Sequence, residues 1–334
     1  VAERPEVTVL VPTFERPRLL RRAVWSVRAQ TFEDWECLIV DDGSADETAR
    51  VAAGLAAEDR RIRYLRGSHA GIVGTLNRGV DAARGEWVQI VDDDDRIHPD
   101  KLRFQLEWAW HHGVPAGPAV LYGDYAVVRT APNGAERTRT RVVGERTIEE
   151  LLHGMIQWNG DSDAPLRQGS PLVRRSVFER TRFDRRVRSY VDTKFYMDLL
   201  LRGVPFFYTP IAGYYQYLHD GNYTSATDRS RRQYVRYLDL LSREVPDLVA
   251  ESPRFGLLAS HALRVHDLEA LRGLLRIARR TPYRAPIAAG SATTDVGPIL
   301  RLAARLHCPA FLVPYLVRLR GLVRRADRQL LPHS

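Results

Sequence analysis

Four consecutive carboxylates, Asp92-Asp93-Asp94-Asp95, follow directly on the apolar run Trp87–Val91. Like charges at this spacing repel one another unless something neutralises them. Hard divalent ions such as Mg2+ and Mn2+ prefer carboxylate oxygens and keep positions open for phosphate. A metal loop able to grip a diphosphate is the sharper reading of these residues. A solvated acidic turn, or a cap before the helix that Pro99 opens, is the plainer one.

The elements that must position this run alternate. Val7–Val11 reads as a strand ended by Pro12, and a helix pattern follows over Arg18–Ala29. Cys37–Val40 is a second strand, stopped by Asp41-Asp42-Gly43-Ser44. Ser44 or Asp46 is placed to cap the next helix. Ile62–Leu65, a helix over Gly71–Ala83, the strand Trp87–Val91 and a helix from Pro99 to Trp110 complete the series. Strand-helix repetition of this kind predicts an α/β fold with a mostly parallel, Rossmann-like sheet flanked by helices. Such sheets bind ligands at the carboxyl ends of their strands. Thr13 and Glu15, Asp41 and Asp42, and Asp92–Asp95 all fall at those ends.

Further along, Leu121–Thr130 and Arg137–Val143 flank a turn at Pro132-Asn133-Gly134, a hairpin pattern. Residues 147–155 and 174–181 read as helical, as does Asp192–Arg202, stopped by Gly203 and Pro205. Phe206–Tyr208 and Gly213–Tyr217 read as two strands. From about residue 226 the chain is helical and arginine-rich. The expected division is therefore 1–110, 111–225 and a basic helical extension, 226–334.

Composition narrows the classes. The chain has 334 residues, 44% hydrophobic and 27% charged, which excludes a collagen, a disordered chain or a disulfide scaffold. Its two cysteines, Cys37 and Cys308, lack metal-ligand spacing and fit a reduced, cytoplasmic setting. No signal peptide and no membrane-spanning run are expected. Of the basic residues 48 are Arg and 2 are Lys, and the net charge of +9 resides wholly in residues 251–334, which hold 14 Arg against 5 acids. A basic tail behind a neutral body, with no interleaved aromatics, argues against nucleic acid as partner.

Five pieces in order carry a family resemblance: Val-Pro-Thr-Phe-Glu-Arg (11–16), Val-Asp-Asp-Gly-Ser (40–44), Gly71 with Asn77-Arg-Gly, Ala-Arg-Gly-Glu-Trp (83–87), and Val-Asp-Asp-Asp-Asp followed by Pro-Asp-Lys-Leu (91–102). Together they resemble the inverting glycosyltransferase family 2 over roughly residues 5–225. The resemblance implies a GT-A fold and a nucleotide-sugar donor, UDP- or dTDP-linked, with Mn2+ or Mg2+ as cofactor. It implies that Pro12, Thr13, Glu15, Arg16, Gly71, Asn77, Asp92 and Asp93 line the nucleotide side, and that Asp41 or Asp42 accepts the N3–H of the base. Asp94 is the first choice as metal ligand, with Asp92 beside it. His219 is a candidate for the metal or diphosphate, and Trp158, Tyr122 and Asp124 for the acceptor.

An inverting transfer needs one carboxylate to take the acceptor's proton. The segment Tyr190-Val191-Asp192 before an amphipathic helix resembles the family's acidic pair, which aligns Asp192 with the base; Val191 replaces the first acid. A helix N-cap is the plain alternative for Asp192. Asp198 is a weaker candidate, and Asp161 and Asp163 are possible acceptor contacts. In the tail, Leu312, Leu316, Leu319, Val323, Ala326 and Leu330 form a helical stripe edged by Arg318, Arg324, Arg325 and Arg328. Packing on the domain or a homodimer contact is favoured for it over peripheral membrane binding. The rival functions are a nucleotidyltransferase, which would need a Gly-rich phosphate loop after the first strand, and a non-catalytic binding module with a worn site.

Overall fold

A computed structural model describes residues 4–131, 133–156, 165–218, 228–250, 262 and 267–281. The chain divides into two compact units: residues 1–155 with 164–222, and residues 156–163 with 223–334.

The first unit is built on one sheet in the order β3-β2-β1-β4-β8-β6-β9-β5, with β7 paired to β6. Its amino-terminal part holds β1 (Val7–Thr13), β2 (Trp35–Asp41), β3 (Ile62–Arg66) and β4 (Trp87–Ile90), all parallel. Every residue of β1, β2 and β4 is buried, as expected of parallel strands covered on both faces. Helices α1 (Pro17–Arg28), α2 (Thr48–Glu58) and α3 (Gly71–Ala82) make the crossovers. Helix α1 has Pro17 in its first turn, where a missing N–H costs nothing. Its buried stripe is Leu20, Ala23, Val24 and Val27, each large side chain contributing roughly 1.5–3 kcal/mol through burial.

The carboxyl-terminal part of the unit adds β5 (Arg96–Ile97), α4 (Lys101–His111), β6 (Val120–Thr130), β7 (Glu136–Arg141), α5 (Ile148–Ile156), β8 (Leu172–Arg174), α6 (Val191–Leu201) and β9 (Phe206–Leu218). Strand β8 runs antiparallel to both β4 and β6, so it joins the two parts of the sheet. Because it is reversed, its leading end lies at the rim where β1, β2 and β4 finish. That reversal brings residues 167–170 to the same edge as the aspartate run.

Four sequence expectations are corrected. Pro12 does not end β1, which pairs with β2 as far as Thr13↔Asp41. The β4 partner stops at Leu10↔Ile90, so the missing N–H of Pro12 falls where no ladder bond is needed. Residues 174–181 are not an α-helix: the apolar run Leu172–Val173 is drawn into the sheet, leaving a 3-10 turn over Arg175–Glu179. The two runs after Pro205 are a single strand, β9, carried past Pro210 by a register shift opposite Gly123 and Tyr125. Ser44 does not cap α2; its hydroxyl donates to Asp41, while Asp46 accepts from the Thr48 N–H and Glu47 takes the cap position.

The second unit contains α7 (Asp228–Glu244), α8 (Pro246–Ala250) and α9 (Leu268–Arg280) among its described residues. Asp267 caps α9 by accepting from the Ala270 N–H at 3.0 Å. Leu271, Leu274, Leu275 and Ile277 are buried. Gly273 lets α9 lie close to α7, where an added Cβ would meet Val235 Cγ1 at 2.6 Å. The basic face is partly paired internally: Asp239 of α7 receives Arg280 at 2.8 Å and Arg276 at 3.3 Å. Among the described residues no helix is long and apolar enough to cross a membrane. The amphipathic stripe expected at 311–331 lies outside the described residues.

Candidate functional site

The four aspartates leave the carboxyl end of β4 and are held individually. Asp92 accepts from Gln168 Nε2 at 2.8 Å. Asp93 accepts from Thr13 Oγ1 at 2.8 Å and from Arg16 Nη1 at 3.1 Å. The same Arg16 nitrogen reaches Asp94 Oδ2 at 3.1 Å, and the Asp94 carbonyl accepts from Arg22. Asp95 is clamped by β9, accepting from the Tyr214 hydroxyl and, at 2.7 Å, from the Tyr217 N–H. One guanidinium thus bridges two members of a run that carries four like charges.

That bridge leaves the cluster under-neutralised. Burial pushes Asp93 up to about 6 against the pull of Arg16 and Thr13. Burial, followed by the charges of Asp95, Asp94, Asp192 and Asp93, holds Asp92 well above the usual carboxylate range. Asp95 is likewise raised, by burial and then by Asp94. Asp92, Asp94 and Asp95 each offer an oxygen, and the three lie within 4.8 Å of one another. All-oxygen donors, several of them carboxylates, fit a hard divalent cation such as Mg2+ or Mn2+.

Asp192 reaches this cluster from α6. It is the second residue of that helix, not its cap: Tyr190 occupies the cap position in a left-handed conformation, φ 60°. Asp192 is half-buried, and burial raises its pKa although the Thr193 N–H and Arg167 oppose the rise. Its charge in turn raises Asp92, which places the two carboxylates in one electrostatic field. Asp198 lies elsewhere on α6 and pairs with Lys194 at 2.6 Å, a structural bond.

On the β2 side both aspartates are engaged. Asp41 is fully buried and accepts from the Ser44 N–H and hydroxyl and from Tyr64 Oη at 2.7 Å. Asp42 accepts the Ala70 and Gly71 N–H groups at 2.8 and 2.9 Å, at the start of α3, and lies 2.9 Å from His69 Nδ1. Gly71 adopts φ 73° to make that turn, a conformation glycine enters without strain. Pro12 is buried in β1, and Glu15 contributes backbone geometry: φ 53°, its N–H donating to Ser44 Oγ at 2.9 Å, its side chain exposed.

Other candidates have different tasks. Asn77 spends its amide on the backbone of Phe183, donating at 2.9 Å and accepting at 3.0 Å, so it ties α3 to the segment leading to α6. The Tyr122 hydroxyl accepts from the Arg146 N–H, and Asp124 accepts from the Val143 N–H and from Tyr208, so both anchor the loop after β7. Trp158, Asp161, Asp163 and His219 lie outside the described residues. Sequence reasoning missed Gln168, whose carbonyl also accepts from Tyr196 Oη at 3.0 Å, and Arg167, which lies over the Tyr125 ring and faces Asp192. It missed Phe14 and His69 too, two exposed rings 4.6 Å apart beside Asp42. Their only signal was position: Phe14 follows β1, and His69 precedes Gly71.

Residues 8–158 match the family model described as glycosyl transferase family 2. A GalNAc(5)-diNAcBac-PP-undecaprenol beta-1,3-glucosyltransferase of Campylobacter jejuni is 26% identical over 247 residues, 71% of this chain and 73% of the relative. The succinoglycan biosynthesis protein ExoW of Rhizobium meliloti is 32% identical over 211 residues, 59% of this chain and 64% of its own length. Against the putative glycosyltransferase EpsH of Bacillus subtilis the match covers 61% of the relative, so several relatives extend well beyond the shared region. Among solved structures, S. aureus TarS 1-349 in complex with UDP-GlcNAc superposes with a TM-score of 0.66 at 17% identity, covering 94% of this chain and 91% of that one. The mannosyltransferase PcManGT from Pyrobaculum calidifontis, in complex with GDP-Man and Mn2+, gives a TM-score of 0.51 at 16% identity over 96% of this chain and 88% of its own. These low identities speak for the fold, which is GT-A-like. The match to glycosyl transferase family 2 lies in residues 8–158, and the relatives similar to more of the chain carry glycosyltransferase or polysaccharide-biosynthesis names.

Proposed function

We propose that the chain moves a sugar from a UDP- or dTDP-sugar to an acceptor hydroxyl with inversion, using Mn2+ or Mg2+. The observation that carries this reading is the cluster of Asp92, Asp94 and Asp95 after the carboxyl end of β4, with the charge of Asp192 among those that raise Asp92. Asp94 and Asp92 would hold the cation, with Asp95 fixed behind them. When bound, the cation neutralises the charge that builds on the leaving diphosphate. Asp42 is our choice for the N3–H of the base, because it adjoins the exposed Phe14–His69 rings on which a pyrimidine can stack.

In a single displacement the acceptor oxygen bonds to the anomeric carbon as the bond to the diphosphate breaks. Asp192 takes the acceptor's proton. Burial raises its pKa, which strengthens it as a proton acceptor. Gln168 positions Asp92 from the turn that precedes β8, and Arg167 favours the charged form of Asp192. Relatives whose names specify an undecaprenol-linked glycan or a succinoglycan support a sugar hydroxyl on a lipid-linked or polysaccharide acceptor.

The test is a thermal-shift titration with UDP, dTDP, GDP and ATP, with and without Mn2+. Stabilisation by a pyrimidine diphosphate that requires the metal is the expected result. Stabilisation by ATP alone would redirect the reading to nucleotidyl transfer. Asp94→Asn should weaken the metal-dependent shift, whereas Asp192→Asn should retain it and lose turnover. Full turnover in Asp192→Asn removes that residue as the base.

A further inference from the structure

Beside the acidic run, and outside the residues assigned above to donor, cation or base, lies a cavity of about 680 Å³. It is walled by α1, β5, the β6–β7 hairpin and β9. Four guanidinium groups line it: Arg18, Arg21, Arg22 and Arg96. A single carboxylate, Glu136, is among the lining residues, and it is bound by Arg96 at 3.2 Å. Among the described residues no carboxylate pairs with Arg18 or Arg21.

The wall is ordered around one ring. Tyr217 lies between Arg22, 4.0 Å from its centroid, and Arg96, 4.4 Å from it. Two cations on one aromatic ring shed little of their mutual repulsion, and burial together with Arg96 lowers the pKa of Arg22. The Arg22 Nε is buried without a hydrogen-bond partner. The remaining surface is apolar and aromatic: Trp25, 69% exposed on a helix face that is otherwise arginine, sits beside Tyr215 and Ile97.

We propose that this cavity binds a phosphate- or diphosphate-bearing anion with an apolar or ring-bearing remainder. Guanidinium forks match phosphoryl oxygens two at a time, and arginine selects phosphate by geometry as well as charge. Trp25 and Tyr215 provide the face for the rest of the ligand. The site stands apart from the nucleotide reading, since none of Phe14, Asp42, Asp92 or Asp192 lines it. It nevertheless touches that machinery, because Arg22 holds the Asp94 carbonyl and the Tyr217 N–H holds Asp95.

The probe is inorganic pyrophosphate, titrated calorimetrically into the full chain in EDTA, where a metal-dependent donor site is silent. Vesicles of phosphatidylglycerol and of phosphatidylcholine form the second arm, read by co-sedimentation. The variant is Arg18→Ser with Arg21→Ser, two exposed positions whose loss spares the core. Expected is pyrophosphate binding that weakens roughly tenfold or more in the double variant, as for lost charge-assisted bonds. Binding to phosphatidylglycerol but not phosphatidylcholine, lost in the same variant, equally supports the site and assigns its anion to a lipid headgroup. Absence of both, or binding unchanged in the variant, overturns it. Metal-dependent nucleotide binding, measured in parallel, fails or survives separately, so the two readings are distinguished.

Discussion

Replacing Lys101 with methionine tests how the sheet and α4 tolerate a buried charge. Lys101 is 1% exposed, and its ammonium donates to Gln105 Oε1 at 2.5 Å. Gln105 in turn donates to Thr209 Oγ1, which donates to the Tyr122 carbonyl. Burial alone lowers the lysine from 10.5 to about 7. Between those values the unfolded chain binds a proton that the folded chain has released, so stability rises with pH by about 1.36 kcal/mol per unit. Over an interval of about two units, from about pH 7.5 to about 9.5, Lys101 therefore adds about 2.7 kcal/mol. Methionine carries no such term, though it leaves Gln105 Oε1 without its donor at a cost of ~1–3 kcal/mol. Urea unfolding of both proteins across that interval gives a difference in which other titrations, such as the buried thiol of Cys37, cancel. The parent should gain on the variant by the full amount. A difference that stays flat with pH refutes the reasoning, since it means the amine keeps its proton in the fold.

Gly85→Ala should destabilise the chain by ~1–3 kcal/mol or more, because the new Cβ would lie 2.3 Å from the Thr8 backbone nitrogen; urea midpoints measure it. Asn77→Ala should cost ~1–3 kcal/mol by stranding the buried Phe183 N–H and carbonyl, and it should speed hydrogen exchange at Phe183. Gln168→Ala should reduce kcat while sparing nucleotide affinity in the absence of metal; an unchanged kcat would make its bond to Asp92 incidental. Arg16→Ala removes a cation that competes for Asp93 and Asp94, so it should lower the Mn2+ concentration needed for half-maximal turnover.

The parallel half of the fold was legible because its strands are continuous apolar runs and its polar residues fall at their ends. Val7, Ile62 and Trp87 open strands where their apolar runs begin, whereas β2 opens at Trp35, two residues before the expected Cys37. Strand β8 was not legible: three residues with a helical-looking continuation are too short for a period to show, and pairing to β4 and β6 decided their state. Strand β5 escaped for the same reason. At the site, residue type identified Asp92–Asp95, but spacing could not show that Arg16 bridges two of them or that Asp95 belongs to Tyr214 and Tyr217. Gln168 and Arg167 were invisible because they reach Asp92 and Asp192 only through the reversed strand. Spacing likewise could not show that the amide of Asn77, a motif residue, closes a backbone gap 106 positions away.

The reversed strand also sets a schedule for synthesis. Until Leu172–Arg174 emerge and dock, β4 has a bare margin: Trp87, Val88 and Gln89 present unpaired peptide groups along an apolar ribbon. An open margin of that kind recruits other chains. A truncated product ending before residue 172 should therefore clump although its first four strands are complete. Extending it through Arg174 closes the margin of β4, but β6 keeps its β9 side open until Phe206–Leu218 follow, so dispersal should return only then.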